Sequence, residues 1–196
     1  METLLPLIGY VVVSTVTPGP NNLMVLTSGA NFGLSRTWPH IFGIALGFPV
    51  MIFALGFGLG FVFDAYPIIH QVLKYVAFAY LLWIAWKIAL AGRPETGEAG
   101  AQALTVLQAA AFQWVNPKAW ALVFGAMALF TTTDGNKAVE VGVIAALFGA
   151  ACVPNGVVWA LFGRAIAGFL EDDRQRFWFN IVMAVLLVVS ILPTMF

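Results

Sequence analysis

A run of about 20 apolar residues is long enough as a helix to cross a hydrocarbon layer of about 30 Å, and in lipid its backbone has few alternatives to that helix. This sequence has six such runs: Leu4 to Thr27, Ile41 to Phe63, Ile68 to Ala91, Leu104 to Phe130, Val141 to Phe162 and Phe177 to Phe196. They are too long and continuous for β-barrel strands, which alternate in and out over about ten residues. The expected fold class is all-α and integral to a membrane, with six transmembrane helices. Composition agrees, since only 9% of the 196 residues are charged, whereas soluble domains run to about a quarter. Nine Lys and Arg cancel nine Asp and Glu, and no basic block interleaved with aromatics offers a surface to nucleic acid. The implied surroundings are the lipid bilayer. Met1-Glu2-Thr3-Leu4 lacks the positive region and small-residue cleavage site of a signal peptide, so the first run is expected to be retained.

Two of the runs carry interruptions that lipid does not tolerate unaided. Pro18-Gly19-Pro20-Asn21-Asn22 falls partway through the first, and Asn116-Pro117-Lys118 partway through the fourth. Pro18 and Pro20 each lack an N–H and crowd the preceding turn, so no continuous helix is expected through them. Leu4 to Thr17 reaches only about 21 Å at about 1.5 Å per residue, so the first helix breaks before it has crossed. Carbonyls before the break and N–H groups after it then need partners, and irregular backbone persists at such depth only where protein buries it or a wet cavity adjoins it. Helices 1 and 4 are therefore expected to be broken at their proline motifs, with the broken ends turned to a cavity.

A segment over 92–103, rich in Gly, Pro and charge, reads as a cytoplasmic linker between three runs and three. The organisation is a single transmembrane domain over 1–196, with a first three-helix repeat over 1–91 and a second over 104–196. Three is odd, so the second half enters the membrane in the opposite sense, as in an inverted repeat. The two breaks fall at corresponding positions in the first helix of each half. With the N-terminus outside, Arg36, Lys87, Arg93, Arg164, Arg174 and Arg176 face inward and only Lys74 and Lys137 face outward, so both termini are expected outside. Gly43 and Gly47, continued by Gly56, Gly58 and Gly60, point to close packing within the bundle; a homodimer stays open.

The candidate substrate-binding set gathers Pro18, Gly19, Pro20, Asn21 and Asn22 from one break with Gln113, Asn116, Pro117 and Lys118 from the other, and adds Asn155 beside Pro154. Gln113 and Asn116 lie three apart and are expected to share a helix face. Lys118 is the formal charge lying well inside a span. An ammonium near mid-membrane costs at least about 2.5 kcal/mol on insertion scales unless it meets water or an anion. Three roles are open to it: pairing with carbonyls freed by Pro20 or Pro117, binding a substrate carboxylate, or titrating in coupling to protons. Asp64, at the end of the second run, is a second coupling candidate, and Glu140 reads as interfacial. Amides, backbone oxygens and one cation suit a zwitterion, whereas a dicationic substrate would want an intramembrane carboxylate, which is absent away from the span ends. No cofactor is called for. The single Cys152 cannot make a soft-metal site, and His40 and His70, at span boundaries, read as solvated or capping groups.

A secondary transporter uses all of these residues. A non-transporting membrane scaffold would leave Lys118 and the asparagines without a role. An intramembrane enzyme would need a base beside Ser14, Ser28, Ser35 or Ser190, and no histidine is placed at depth with them.

Thr17-Pro18-Gly19-Pro20-Asn21-Asn22, Ser28-Gly29-Ala30-Asn31-Phe32-Gly33, and His40 through Gly43 and Gly47 resemble, in order and spacing, the N-terminal signature of the LysE/RhtB family of bacterial amino acid exporters. Gln113-Trp114-Val115-Asn116-Pro117-Lys118-Ala119-Trp120 resembles its second signature, and Tyr80 to Lys87 the end of its third span. The resemblance covers essentially the whole chain. It implies efflux of amino acids or close derivatives across the bacterial inner membrane, driven by the proton motive force. The chain is more similar to the branch exporting neutral or small polar amino acids, including cysteine and O-acetylserine, than to the lysine and arginine branch.

Overall fold

The computed structural model describes residues 4–59, 67–90, 103–132, 135–170 and 172–190. All its regular elements are helical: α1 (Leu4–Val16), α2 (Pro20–Ala54, extended by a π-helical turn Leu55–Leu59), α3 (Pro67–Ala89), α4 (Val106–Phe112, extended by a 3-10 turn Gln113–Val115), α5 (Pro117–Phe130), α6 (Lys137–Ala167) and α7 (Asp173–Val189). The linker expected over 92–103 lies, apart from its last residue, outside the described residues.

Local chemistry sets the helix ends. Pro20 and Pro117 each stand in the first turn, where a missing N–H costs no hydrogen bond. Thr105 and Gln108 form a reciprocal capping box at the start of α4. Asn136 caps α6 through Val139 N, and Asp172 caps α7 through Gln175 N. That last cap makes the charged residues Asp173 to Arg176 the first turn of α7.

By length alone α2 is a 35-residue helix. It is not a rod, because Gly33 sits at φ 75°, ψ 171°, a left-handed conformation that glycine tolerates and that ends a right-handed helix. Ser28 Oγ and Thr37 Oγ1 lie 2.9 Å apart, whereas nine residues of straight helix would separate them by about 13.5 Å. The chain therefore doubles back at Gly33. Neighbours on α6 tell the same story: Tyr10 stacks edgewise on Phe148, Asn22 meets Asn155 and the Leu26 carbonyl abuts Gly163. The path then returns, with Ile41 against Gly156, Pro49 against Gly149 and Gly56 against Val141. Residues 20–32 and 34–54 are thus two antiparallel limbs joined by one residue, inside the gap at 28–40 that separates the first two apolar runs.

The limb formed by α4 and α5 runs antiparallel to α1 and the first limb of α2. Gln113 meets Asn21, Lys118 meets Thr17 and the Leu122 carbonyl meets the Tyr10 hydroxyl. The two interruptions consequently lie side by side. Two described helices, Pro20–Gly58 and Lys137–Ala167, are long and apolar enough to cross a membrane, though the first is folded at Gly33. Leu4–Val16, Val106–Val115 and Pro117–Phe130 are shorter apolar helices.

Small residues let these limbs touch. A Cβ on Gly43 would come 2.5 Å from that of Ala109, and one on Gly47 would come 2.6 Å from Ala110 Cα, so both glycines seat α4 on α2. Phe48 and Phe148 stack 5.1 Å apart between α2 and α6. On the far side Leu81, Ile84 and Ala85 of α3 pack with Met24, Phe112, Ala184 and Leu187. The outside is apolar, with Leu5 77% and Leu107 78% exposed, while Asn22, Asn31, Thr37, Gln113, Asn116 and Asn180 are buried. Exposed hydrocarbon around an amide-bearing interior is what a lipid surround favours.

Candidate functional site

α1 ends at Val16 and α2 begins at Pro20, leaving the last carbonyls of α1 without the N–H groups that a longer helix would bring. Asn22 supplies the missing donors. Its Nδ2 donates to the carbonyls of Thr15 at 2.8 Å and Thr17 at 2.9 Å, with Val16 at 3.4 Å. Its Oδ1 accepts from Asn155 Nδ2 at 3.0 Å. The side chain is thus engaged at both ends, and the broken helix is capped from within its own half of the chain.

The second break mirrors this with different parts. Asn116 is extended, at φ −91° and ψ 107°, and its Oδ1 accepts from Lys118 N at 3.1 Å as the N-cap of α5. Gln113 exchanges two hydrogen bonds with Asn21, at 2.8 and 3.2 Å, and also donates to the Ala109 carbonyl at 2.9 Å. Trp120 Nε1 donates to the Trp114 carbonyl at 2.8 Å, clipping the two sides of the break together. Lys118 Nζ donates to the Thr17 carbonyl at the end of α1. The cation therefore sits at the negative end of a half-helix, the favourable end for it.

Gly19 explains how Lys118 gets there. Its backbone is extended, at φ −176° and ψ −179°, a conformation open to any residue, so its smallness rather than its freedom is what matters. A Cβ at Gly19 would stand 2.6 Å from Lys118 Cδ and 3.2 Å from Nζ. The lysine side chain lies across the space that the missing Cβ leaves.

Between the breaks is a cavity of about 30 Å³, room for one or two waters. Of the residues singled out from sequence, Gly19, Asn21, Asn22, Asn116, Lys118 and Asn155 line it. Gln113 does not; it is fully buried behind Asn21. The expected shared helix face of Gln113 and Asn116 is also corrected, because the chain passes through a 3-10 turn and an extended residue between them. Pro18, Pro20 and Pro117 shape the breaks without lining the cavity. Asp64 lies outside the described residues. Sequence reasoning missed Ser14 and Thr15, one turn before the first break, and Cys152, one turn before Asn155. Helical spacing from Pro18 and from Asn155 was the available signal for all three.

A second polar cluster lies near the Gly33 reversal. Asn31 Nδ2 donates to Asn180 Oδ1 at 2.8 Å, and Arg176 Nη1 donates to the Ala30 carbonyl at 3.3 Å. His40, expected at a solvated boundary, is instead 1% exposed. Among the described residues no group of three His, Cys, Asp or Glu could hold a metal ion.

The family model described as LysE type translocator matches residues 12–191. The cysteine/O-acetylserine efflux protein of Escherichia coli (strain K12) is 33% identical over 188 residues, covering 91% of this chain and 90% of its own. The proteins of that name from Shigella sonnei (strain Ss046) and Escherichia coli O6:K15:H31 (strain 536 / UPEC) are 33% and 32% identical over the same shares. No solved structure matches.

Proposed function

Because the chain belongs to the LysE type translocator family, we infer that it is a secondary exporter of neutral or small polar amino acids or their close derivatives, with cysteine and O-acetylserine as first candidates. It is a transporter and not an enzyme. The observation that carries the reading is the meeting of two interrupted limbs at one cavity, with carbonyls of a half-helix end on one side and the starts of α2 and α5 on the other. Carbonyl oxygens and a helix C-terminus attract an ammonium, while a helix N-terminus and a lysine attract a carboxylate. A free amino acid carries both groups.

The architecture we propose is six transmembrane helices in two inverted halves, the fold-back at Gly33 separating the first two spans. The protein would lie in the bacterial inner membrane with both termini outside. With a cavity of about 30 Å³ in this conformation, substrate binding would come with a parting of the interrupted limbs, and their closing would give alternating access. Proton antiport is the expected coupling, with Lys118 and Asp64 as candidates for carrying it.

Purified protein in liposomes tests this. Everted gradients should drive uptake of labelled O-acetyl-L-serine or L-cysteine, faster with an acidic interior than with no pH difference. Absence of uptake and of counterflow for both substrates would favour a non-transporting membrane subunit. Transport indifferent to the pH difference would remove the antiport part alone.

A further inference from the structure

The site carries a charge of its own. The C-terminal carbonyls of α1, the natural seat for a substrate's ammonium, are already met by the protein's own donors: Asn22 Nδ2 on Thr15 and Thr17, and Lys118 Nζ on Thr17. Of these donors only Lys118 carries a full charge, and it reaches across from the other half of the molecule over the gap at Gly19. We propose that the Lys118 ammonium is a built-in surrogate for the α-ammonium of the substrate, and that an amino acid binds by displacing it from the Thr17 carbonyl. The proposal rests on the exporter reading and adds the means by which the site tells a zwitterion from an amine.

Charge bookkeeping supplies the selectivity. When an amino acid enters, its ammonium replaces that of Lys118 on the α1 carbonyls, and the released Lys118 finds the substrate carboxylate beside it. The site carries one net positive charge before and after. An amine without a carboxylate would leave two ammonium groups contending for one helix end with nothing to neutralise the second. A carboxylate without an ammonium would draw Lys118 away and leave the Thr17 carbonyl with Asn22 as its donor and no cation at the α1 end. Both half-molecules are therefore rejected, for opposite reasons.

Calorimetry on the purified full chain under reducing conditions, with L-cysteine, cysteamine, N-acetyl-L-cysteine and O-acetyl-L-serine as probes, decides the matter. Wild type should bind L-cysteine and should bind cysteamine, which lacks the carboxylate, and N-acetyl-L-cysteine, which lacks the ammonium, at least ten-fold more weakly. Lys118→Met should invert the first pair, losing at least ten-fold in affinity for cysteine and gaining at least ten-fold for cysteamine, because the Thr17 carbonyl then faces no cation of the protein's own. Gly19→Ala gives a second reading that keeps the charge: its methyl would crowd Lys118 off the Thr17 carbonyl and should admit cysteamine, though less than Lys118→Met does because the second ammonium remains. Wild type binding cysteamine as tightly as cysteine would overturn the proposal, as would neither variant gaining cysteamine. Should Lys118→Met not fold, the wild-type series and Gly19→Ala still decide. A wild type that binds neither cysteine nor O-acetyl-L-serine would remove the exporter reading together with this one, whereas cysteine binding without the cysteamine switch would remove only the surrogate role.

Discussion

Replacing Asn22 with leucine should cost more stability than replacing any other asparagine of the cavity, and the amount follows from its bonds. Asn22 donates to Thr15 and Thr17 at 2.8 and 2.9 Å and accepts from Asn155 at 3.0 Å. Hydrogen bonds within membranes average about 0.6 kcal/mol and reach about 1.7, and those in water-soluble proteins contribute about 1 kcal/mol. Three such bonds come to about 2 to 3 kcal/mol. For a chain of this size about 2 to 4 °C of melting temperature accompanies each kcal/mol, so Asn22→Leu should melt about 4 to 12 °C below wild type in the same detergent. Asn155→Leu removes one of the three bonds, at about 1 kcal/mol, and should melt about 1 to 4 °C lower. Asn22→Asp should be worse than leucine, since a carboxylate would face carbonyl oxygens. Thermal unfolding followed by tryptophan fluorescence measures all three. If Asn22→Leu melts within about 2 °C of wild type, or Asn155→Leu is as damaging, the capping of α1 by Asn22 is not what holds the break.

Cys152 is the single cysteine of the chain, lines the cavity and is 5% exposed. Its alkylation by N-ethylmaleimide should be slow and should slow further with saturating O-acetyl-L-serine; a rate that the ligand leaves unchanged would place binding elsewhere. On α6, Gly163→Ala would drive a methyl into the Leu26 carbonyl, whereas Gly142→Ala meets nothing within 4 Å. The first should lower the yield of folded protein severalfold and the second should leave it unchanged, as read by size-exclusion chromatography.

Proline writes its effect locally, and Pro20 and Pro117 each stand at the start of a helix, where their missing N–H groups cost nothing. Which amide meets which carbonyl was not legible in the sequence, since Asn22 reaches back to α1 while Asn21, its neighbour in sequence, reaches across to Gln113. Adjacent residues on a helix point about 100° apart, and only the packed partner says what each direction meets. The reversal at Gly33 was hidden for a related reason. Ser28 to His40 is polar enough for a loop, yet one left-handed glycine, with Ser28 and Thr37 bonded across it, turns the chain without one. Of the three roles left open for Lys118, pairing with a carbonyl freed at the proline break is the contact made in this structure, at Thr17. Ser14, Thr15 and Cys152 escaped notice because small side chains in apolar helices look alike until a cavity opens beside some of them.

The distance along the chain between partners sets a timetable for making this protein. Gln113 follows Asn21 by 92 residues, and at about 5 to 20 residues per second a ribosome needs about 5 to 20 s to deliver it. Lys118 and Asn155 arrive later still. Through that interval the first half must sit in or beside lipid with its interruption already exposed, and the side-chain bonds that span the break from within that half are those from Asn22 to Thr15, Val16 and Thr17. The same side chain that caps the helix in the finished molecule is therefore its provisional seal during synthesis. Loss of Asn22 should leave a nascent first half recognisable to membrane quality control before the second half emerges.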